Sequence, residues 1–456
     1  MSVRGTRLPY RAGFVAAAIL ALALSGCAEA IVSHGQVNRD QADKIKIGLQ
    51  QLRGLEFKYP VPLVVMSQQD AGQVLEAEMN QRQSDAQLAI EARVGEMIGL
   101  YPEGIDLKAA TMSMLQSEII GFYDAPNQRM IVVQDRTRLG LLSAIGGLLR
   151  HRDVRGEMLL AHELTHALQD QHFEIHAALE RIKDNDDRDL ALKSVAEGDA
   201  TLAGFSYIKG GTNEASVQDL LGRLDALPHA FAEQSPNVPA GLLDPMEFQY
   251  DEGTRFVVEA WRRGGWAGVN ALYGKPPLST QQVADPSLYF DRFTPPARIN
   301  IAGYEAAMAG WRPAFENTYG ALTMRIILRE HPDGAAQVAL ARAWAGDRMV
   351  VLERGDQLAL LWIVVMADGE SAAEFTRAYG VVLDRIARSS AGGKDTQAHR
   401  VAVRGTAVLI AIGGAAAKFD ELAPAVWRAS TIDSGGERNQ ASSDSRALAI
   451  NSRSPR

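Results

Sequence analysis

His162-Glu163-Leu164-Thr165-His166 constrains the fold of this chain more than any other stretch, because two histidines four apart meet at one point only if the backbone between them is helical. At about 100° per residue, positions 162 and 166 of a helix lie about 40° apart, so both imidazoles can reach one metal ion. Glu163 points beside them, where a carboxylate can take a proton from metal-activated water and later pass it to a leaving amine. The flanks carry the same period. Glu157-Met158-Leu159-Leu160-Ala161 leads in, Ala167-Leu168-Gln169-Asp170 leads out, and no Gly or Pro interrupts the chain between Gly156 and Gly198. Leu159, Leu160, Leu164, Ala167 and Leu168 give this helix a buried side. The plainer alternative is a core helix whose two histidines are satisfied by hydrogen bonds.

A hydrolytic zinc centre takes three protein ligands and leaves one position for water. Two residues compete for the third place. Glu197 lies in Ser194-Val195-Ala196-Glu197-Gly198-Asp199, on what reads as a second helix after the charged connection 183–189. His172 stands six residues after His166, the metzincin spacing, but that class turns its chain at a glycine where this sequence has Gln169. If the helix continues, His172 sits about 240° around from His166 and faces away, which favours Glu197. Asp199 is a candidate to accept a hydrogen bond from a ligating imidazole and fix its tautomer.

The set His162-Glu163-Leu164-Thr165-His166 with Glu197-Gly198 resembles the gluzincin class of zinc metallopeptidases, in which a glutamate on the next helix is the third ligand. Gln249-Tyr250-Asp251-Glu252-Gly253 is similar to the Tyr-x-x-Gly segment of aminopeptidase N-type gluzincins, and the likeness implies that Tyr250 donates to the oxyanion. The run including Gly121-Phe122-Tyr123-Asp124 and Met130 to Val133 looks like an uncharacterised group of bacterial and archaeal metallopeptidase lipoproteins. In gluzincins a strand upstream of the metal helix lines the cleft and pairs with extended substrate, the role this resemblance gives Met130 to Val133. The resemblance implies an α+β fold with a mixed sheet and active-site helices, Zn²⁺ as cofactor, and a peptide or protein as substrate. No Gly-Ala-Met-Glu-Asn motif precedes His162, so aminopeptidase specificity does not carry over.

Arg4, Arg7 and Arg11 followed by the apolar run Phe14 to Leu24 read as a signal peptide too short to span a bilayer. Leu24-Ser25-Gly26-Cys27 reads as a lipobox, and Cys27 is the sole cysteine, suited to carry acyl chains that anchor the chain to a membrane. Ala28 after it is compatible with the outer membrane of a Gram-negative cell. An ordinary secretory signal with an incidental cysteine is the alternative. Losing three arginines and no acid takes the formal charge from −8 to about −11, which argues against nucleic acid as a partner.

With 46% hydrophobic and 22% charged residues the chain has the composition of a globular protein. The expected order is a signal peptide 1–26, a tether 27–47, a zinc peptidase domain 48–300, a small α+β domain 310–428 and a disordered tail 430–456. Within the second domain Trp344 to Arg348 reads as a turn into a strand, and no catalytic constellation stands out. The functional expectation is a lipid-anchored zinc peptidase of the cell envelope. A zinc-containing envelope binding or assembly protein without turnover is the alternative, and the intact His-Glu-x-x-His motif favours the enzyme.

Overall fold

The computed structural model describes residues 32–434 apart from 34–35, 119–120, 134–151, 226–236, 335–337 and 390–397, and in it the chain is a mixed α+β protein. The expected signal segment, Cys27 and the tail beyond residue 434 lie outside the described residues. A two-strand ribbon, β1 (Val32–Ser33) and β2 (Gln36–Val37), leads into α1 (Arg39–Arg53). Next come β3 (Leu63–Met66), α2 (Gln68–Arg82), α3 (Asp85–Ile98), α4 (Leu107–Glu118), β4 (Gly121–Asp124) and β5 (Arg129–Val133). The helical middle comprises α5 (Arg152–Phe173), α6 (Ile175–Glu180), α7 (Asp186–Ile208), α8 (Glu214–Leu224), α9 (Ala240–Tyr250), α10 (Glu252–Gly274), α11 (Thr280–Ala284) and α12 (Ser287–Phe290). The remainder is β6 (Arg298–Asn300), β7 (Arg312–Asn317), α13 (Gly320–Arg329), β8 (Trp344–Arg354), β9 (Gln357–Met366), α14 (Gly369–Ser389), β10 (His399–Arg404), β11 (Ala407–Gly413), α15 (Phe419–Ala429) and β12 (Thr431–Asp433). Among the described residues no helix is long and apolar enough to cross a membrane.

The expected boundary between tether and folded domain at residue 47 falls inside α1, which is one continuous helix. Asn38 caps it by accepting from the Gln41 N–H, and Gly54 ends it in the left-handed region at φ 64°. Ala42, Ile45 and Leu49 are buried at its i, i+3, i+7 positions against Leu160, Ala161, Leu164 and Ala167 of α5 and Ala203 of α7. The residues expected to be tether thus form the rear wall of the metal helix.

The small sheet runs β3-β5-β4, with β3 parallel to β5 (Leu63↔Met130) and β4 antiparallel to it (Gly121↔Val132). Met130 to Val133 therefore lies in the middle strand, and the strand that borders α5 is β4. This corrects the expectation that Met130 to Val133 lines the cleft: its own edges are already paired on both sides.

The helical middle is organised around α7. Asn185 caps it, accepting from the Arg188 N–H, and Asp186, Asp187 and Asp189 fall in its first turn. Ala191, Ala196, Gly198, Ala200, Ala203 and Gly204 keep its surface thin, so α5 and α10 pack closely on its two sides.

The last part of the chain is a five-stranded antiparallel sheet of order β10-β11-β9-β8-β7. Its central strand β9 is buried on both faces. Leu360, Trp362 and Val364 meet α13 and α14, while Leu361, Ile363 and Val365 meet α15 and the segment 299–311. Trp344 to Arg348 is not a turn: β8 starts at Trp344, and its pairing with β9 shifts by one residue between Trp344 and Gly346. A β-bulge at Ala345 takes up the shift, and the Gly-Asp pair that reads locally as a turn signal is paired within the strand. The bulge aims Asp347 into the core, where its carboxylate accepts from the Tyr319 and Gly320 N–H groups and from the indoles of Trp344 and Trp362 at 2.8–3.0 Å. Residue 430 does not start a disordered tail directly either, because Thr431–Asp433 pairs with Arg298–Asn300.

Candidate metal centre

Helix α5 carries His162 and His166 on one face, their Nε2 atoms 3.1 Å apart. Glu197 of α7 brings Oε2 to 3.2 Å from the first nitrogen and 3.5 Å from the second. A tetrahedral zinc ion with bonds of about 2.0–2.1 Å needs ligand-to-ligand edges of about 3.3–3.4 Å, so this triangle fits one face of its coordination sphere. Apart from the two imidazoles, the buried Glu197 Oε2 meets no hydrogen-bond donor among the described residues, as expected of an oxygen aimed at a cation. Among the described residues this is the only group of three or more His, Cys, Asp or Glu side chains close enough to hold one ion. His172 is turned elsewhere: its Nε2 lies 2.7 Å from the Glu56 carbonyl oxygen.

Without an ion the three groups share charge. Burial lowers the pKa of His162. For His166 burial acts in the same direction but is outweighed by the Glu197 carboxylate, which pushes it up to about 10. Glu197 is correspondingly held well below the usual carboxylate range, with burial opposing and the His166 charge prevailing. Glu163 sits beside the triangle and is buried, which pushes it up to about 8; the Glu197 charge adds to the rise, while His166 and the Tyr123 N–H of β4 oppose it. A carboxyl group poised near neutral pH suits a residue that must both take and return a proton.

Two close helix crossings set these positions. A Cβ on Gly198, next to Glu197, would stand 2.3 Å from the Gly253 carbonyl oxygen, and one on Gly253 would stand 2.4 Å from that of Ser194. On the other side of α7, a Cβ on Gly204 would approach the Met158 carbonyl oxygen to 2.8 Å and the His162 N to 3.2 Å. The glycine after Glu197 and the glycine three after Tyr250 are thus the two halves of one backbone contact. It brings the Tyr250 ring over His162, with centroids 6.1 Å apart and planes inclined by 28°.

Asp199 does not touch an imidazole, contrary to the expectation from sequence. Gln169 stands between. Its Oε1 accepts from His166 Nδ1 at 2.9 Å, and its Nε2 donates to Asp199 Oδ2 at 3.1 Å and to the Ala196 carbonyl at 2.9 Å. Two acceptors on one side fix the amide's orientation, which places the proton on Nδ1 and leaves Nε2 of His166 for the metal. Sequence reading overlooked Gln169, although a polar residue three positions after a ligand on the same helix is a neighbour by geometry. Asp199 Oδ2 also accepts from the Tyr273 hydroxyl at 2.7 Å and from Arg53 Nη2 at 2.9 Å.

The family match falls on a different part of the chain. Residues 306–423 match a domain of unknown function, DUF8575, which spans most of the five-stranded sheet and its helices and contains none of the metal triad. No curated protein matches the chain. A solved structure from Chloroflexus aurantiacus, described as a provisionally assigned hydrolase with a novel fold, is similar at 17% identity over 60% of this chain and 95% of that one, with a TM-score of 0.39. That likeness is too slight to define a fold for this chain.

Proposed function

We propose that this chain is a zinc-dependent peptidase of the gluzincin type, anchored to the bacterial cell envelope through a lipidated Cys27. The observation that carries the reading is the triangle of His162, His166 and Glu197, with edges suited to tetrahedral zinc and a buried, unligated carboxyl group beside it. Zinc, when bound there, supplies Lewis acidity toward water and the scissile carbonyl. Glu163 accepts a proton from water as the water oxygen attacks the carbonyl carbon. It then delivers that proton to the amide nitrogen as the C–N bond breaks, leaving a carboxylic acid and an amine. The Tyr250 hydroxyl is the donor to the oxygen that gains negative charge in between. Among the described residues β4 is an outer strand of its sheet, and it reaches Glu163 through the Tyr123 N–H, so an extended peptide laid beside β4 would pass that carboxyl group.

The test is proteome-derived peptide cleavage read by mass spectrometry, with and without chelator. Wild type should give chelator-sensitive cuts, and Glu163→Gln should bind zinc at full stoichiometry while cleaving about 10²- to 10⁴-fold more slowly. Absence of any chelator-sensitive cut would reject turnover and favour a binding or assembly role. Loss of zinc from Glu163→Gln would reject the division of labour between ligands and base.

A further inference from the structure

The groups behind the triangle lead away from it in one direction. From His166 Nδ1 the chain of hydrogen bonds runs to Gln169, then to Asp199, then to Arg53, the last residue of α1. Gln169 and Asp199 have no exposed surface and Arg53 is 2% exposed. Arg53 Nη2 also donates to Asn270 Oδ1 at 2.8 Å, and its guanidinium lies 4.3 Å from the centroid of the Trp266 ring. A break at Gly264–Gly265 in α10 precedes that tryptophan. An arginine this deep requires its counter-charge, and Asp199 without it would be a buried anion held by neutral donors alone. The same carboxylate orients the amide that orients His166. Nothing in catalysis by His162, Glu163, His166 and Glu197 calls for a cation from the first helix, yet the fold places one there.

We infer that Gln169, Asp199 and Arg53 are positioning residues that link occupancy of the metal site to the seating of α1. The inference rests on the metal reading above. Zinc on Nε2 would fix the His166 ring and with it the direction of its Nδ1–H, which holds the Gln169 amide against Asp199 and the carboxylate against Arg53. Because coupling between two equilibria is reciprocal, whatever α1 docking adds to zinc affinity, zinc adds to α1 docking.

The experiment uses the full chain and two readouts, zinc affinity by competition with a chromophoric chelator and hydrogen exchange of the 39–53 amides with and without zinc. Wild type should bind zinc and show exchange in α1 slowed about ten-fold by it. Arg53→Met should weaken zinc binding by about 10- to 100-fold although it alters no ligand, and Gln169→Leu should do the same. Gln169→Leu keeps the Arg53–Asp199 pair, so its α1 should stay docked but exchange at one rate whether or not zinc is present. Should Arg53→Met fail to fold, Gln169→Leu decides alone. Wild-type affinity in Gln169→Leu, or α1 exchange in wild type that ignores zinc, overturns the link while leaving the metal reading intact. A wild-type chain that binds no zinc overturns both.

Discussion

Substituting Gly198 by Ala separates the effect of the helix crossing from that of helix propensity. The added Cβ would stand 2.3 Å from the Gly253 carbonyl oxygen, 2.5 Å from its carbon and 2.8 Å from the Thr254 nitrogen. Ordinary contact begins near 3.4 Å, so α7 and α10 must part by about 1 Å, and the opposing atoms are backbone that no rotamer change can move. Overpacking of this kind costs about 1–3 kcal/mol, and rigid neighbours place the cost toward the upper end. Alanine returns up to about 1 kcal/mol of helix propensity, leaving a net loss of about 2 kcal/mol. Gly222 in α8 supplies the control, since a Cβ there meets nothing within 4 Å and Gly222→Ala should gain about 0.5–1 kcal/mol. Thermal midpoints of the two zinc-free variants should therefore move in opposite directions. Gly198→Ala should also bind zinc at least about ten-fold more weakly, because the displaced residue neighbours Glu197. If the two midpoints rise together and zinc affinity is unchanged, the crossing is not what positions Glu197.

Two further outcomes follow from the charge states. At pH 7.5 His166 is protonated without metal, its pKa lying near 10, whereas a ligating imidazole must be neutral. Zinc entry should release about one proton from His166 and a further fraction from Glu163, whose pKa near 8 falls beside a cation. Affinity should thus rise by more than about ten-fold per pH unit between pH 6 and 8, since more than one proton leaves. Calorimetry in buffers of different ionisation heat reads the number directly, and zero release contradicts the assignment. At the other end of α7, burial raises Asp187 from 3.8 to about 7, against hydrogen bonds from Thr280. The folded state holds that proton where the unfolded chain has lost it. The stability it contributes is therefore full below about pH 4 and is lost as pH climbs through 7, a span of at most about 4 kcal/mol. Asp187→Asn keeps an acceptor for Thr280 and should flatten urea midpoints measured from pH 5 to pH 8; an unchanged profile refutes the charge argument.

Helix α5 was legible because two candidate ligands on one helix obey a period, and Glu197 was reachable from it by the composition of the following helix. The supporting groups were not. Arg53 and Tyr273 meet Asp199 across 146 and 74 positions, and no local pattern encodes such a meeting. Gln169 lay within reach of helical geometry but was weighed only as a missing turn. In the last part of the chain Leu358 to Met366 is an unbroken apolar run, the mark of a strand covered on both faces, and it forms β9. Strands β7 and β10 were missed because they are the two edges of that sheet, where half-exposed residues, and Pro313 in β7, dilute the signal. The bulge at Trp344 shows the opposite error, a turn-like Gly-Asp pair inside a continuous strand.

The unbroken run of α1 from Arg39 has a practical side for anyone wishing to produce the folded body alone. Trimming to residue 48 would amputate Ala42 and Ile45 and uncover the apolar back of Leu160 and Leu164. Starting at Asn38 preserves the cap, the apolar stripe and the arginine at its far end, so the shortest sound amino terminus is ten residues earlier than the expected domain start at residue 48.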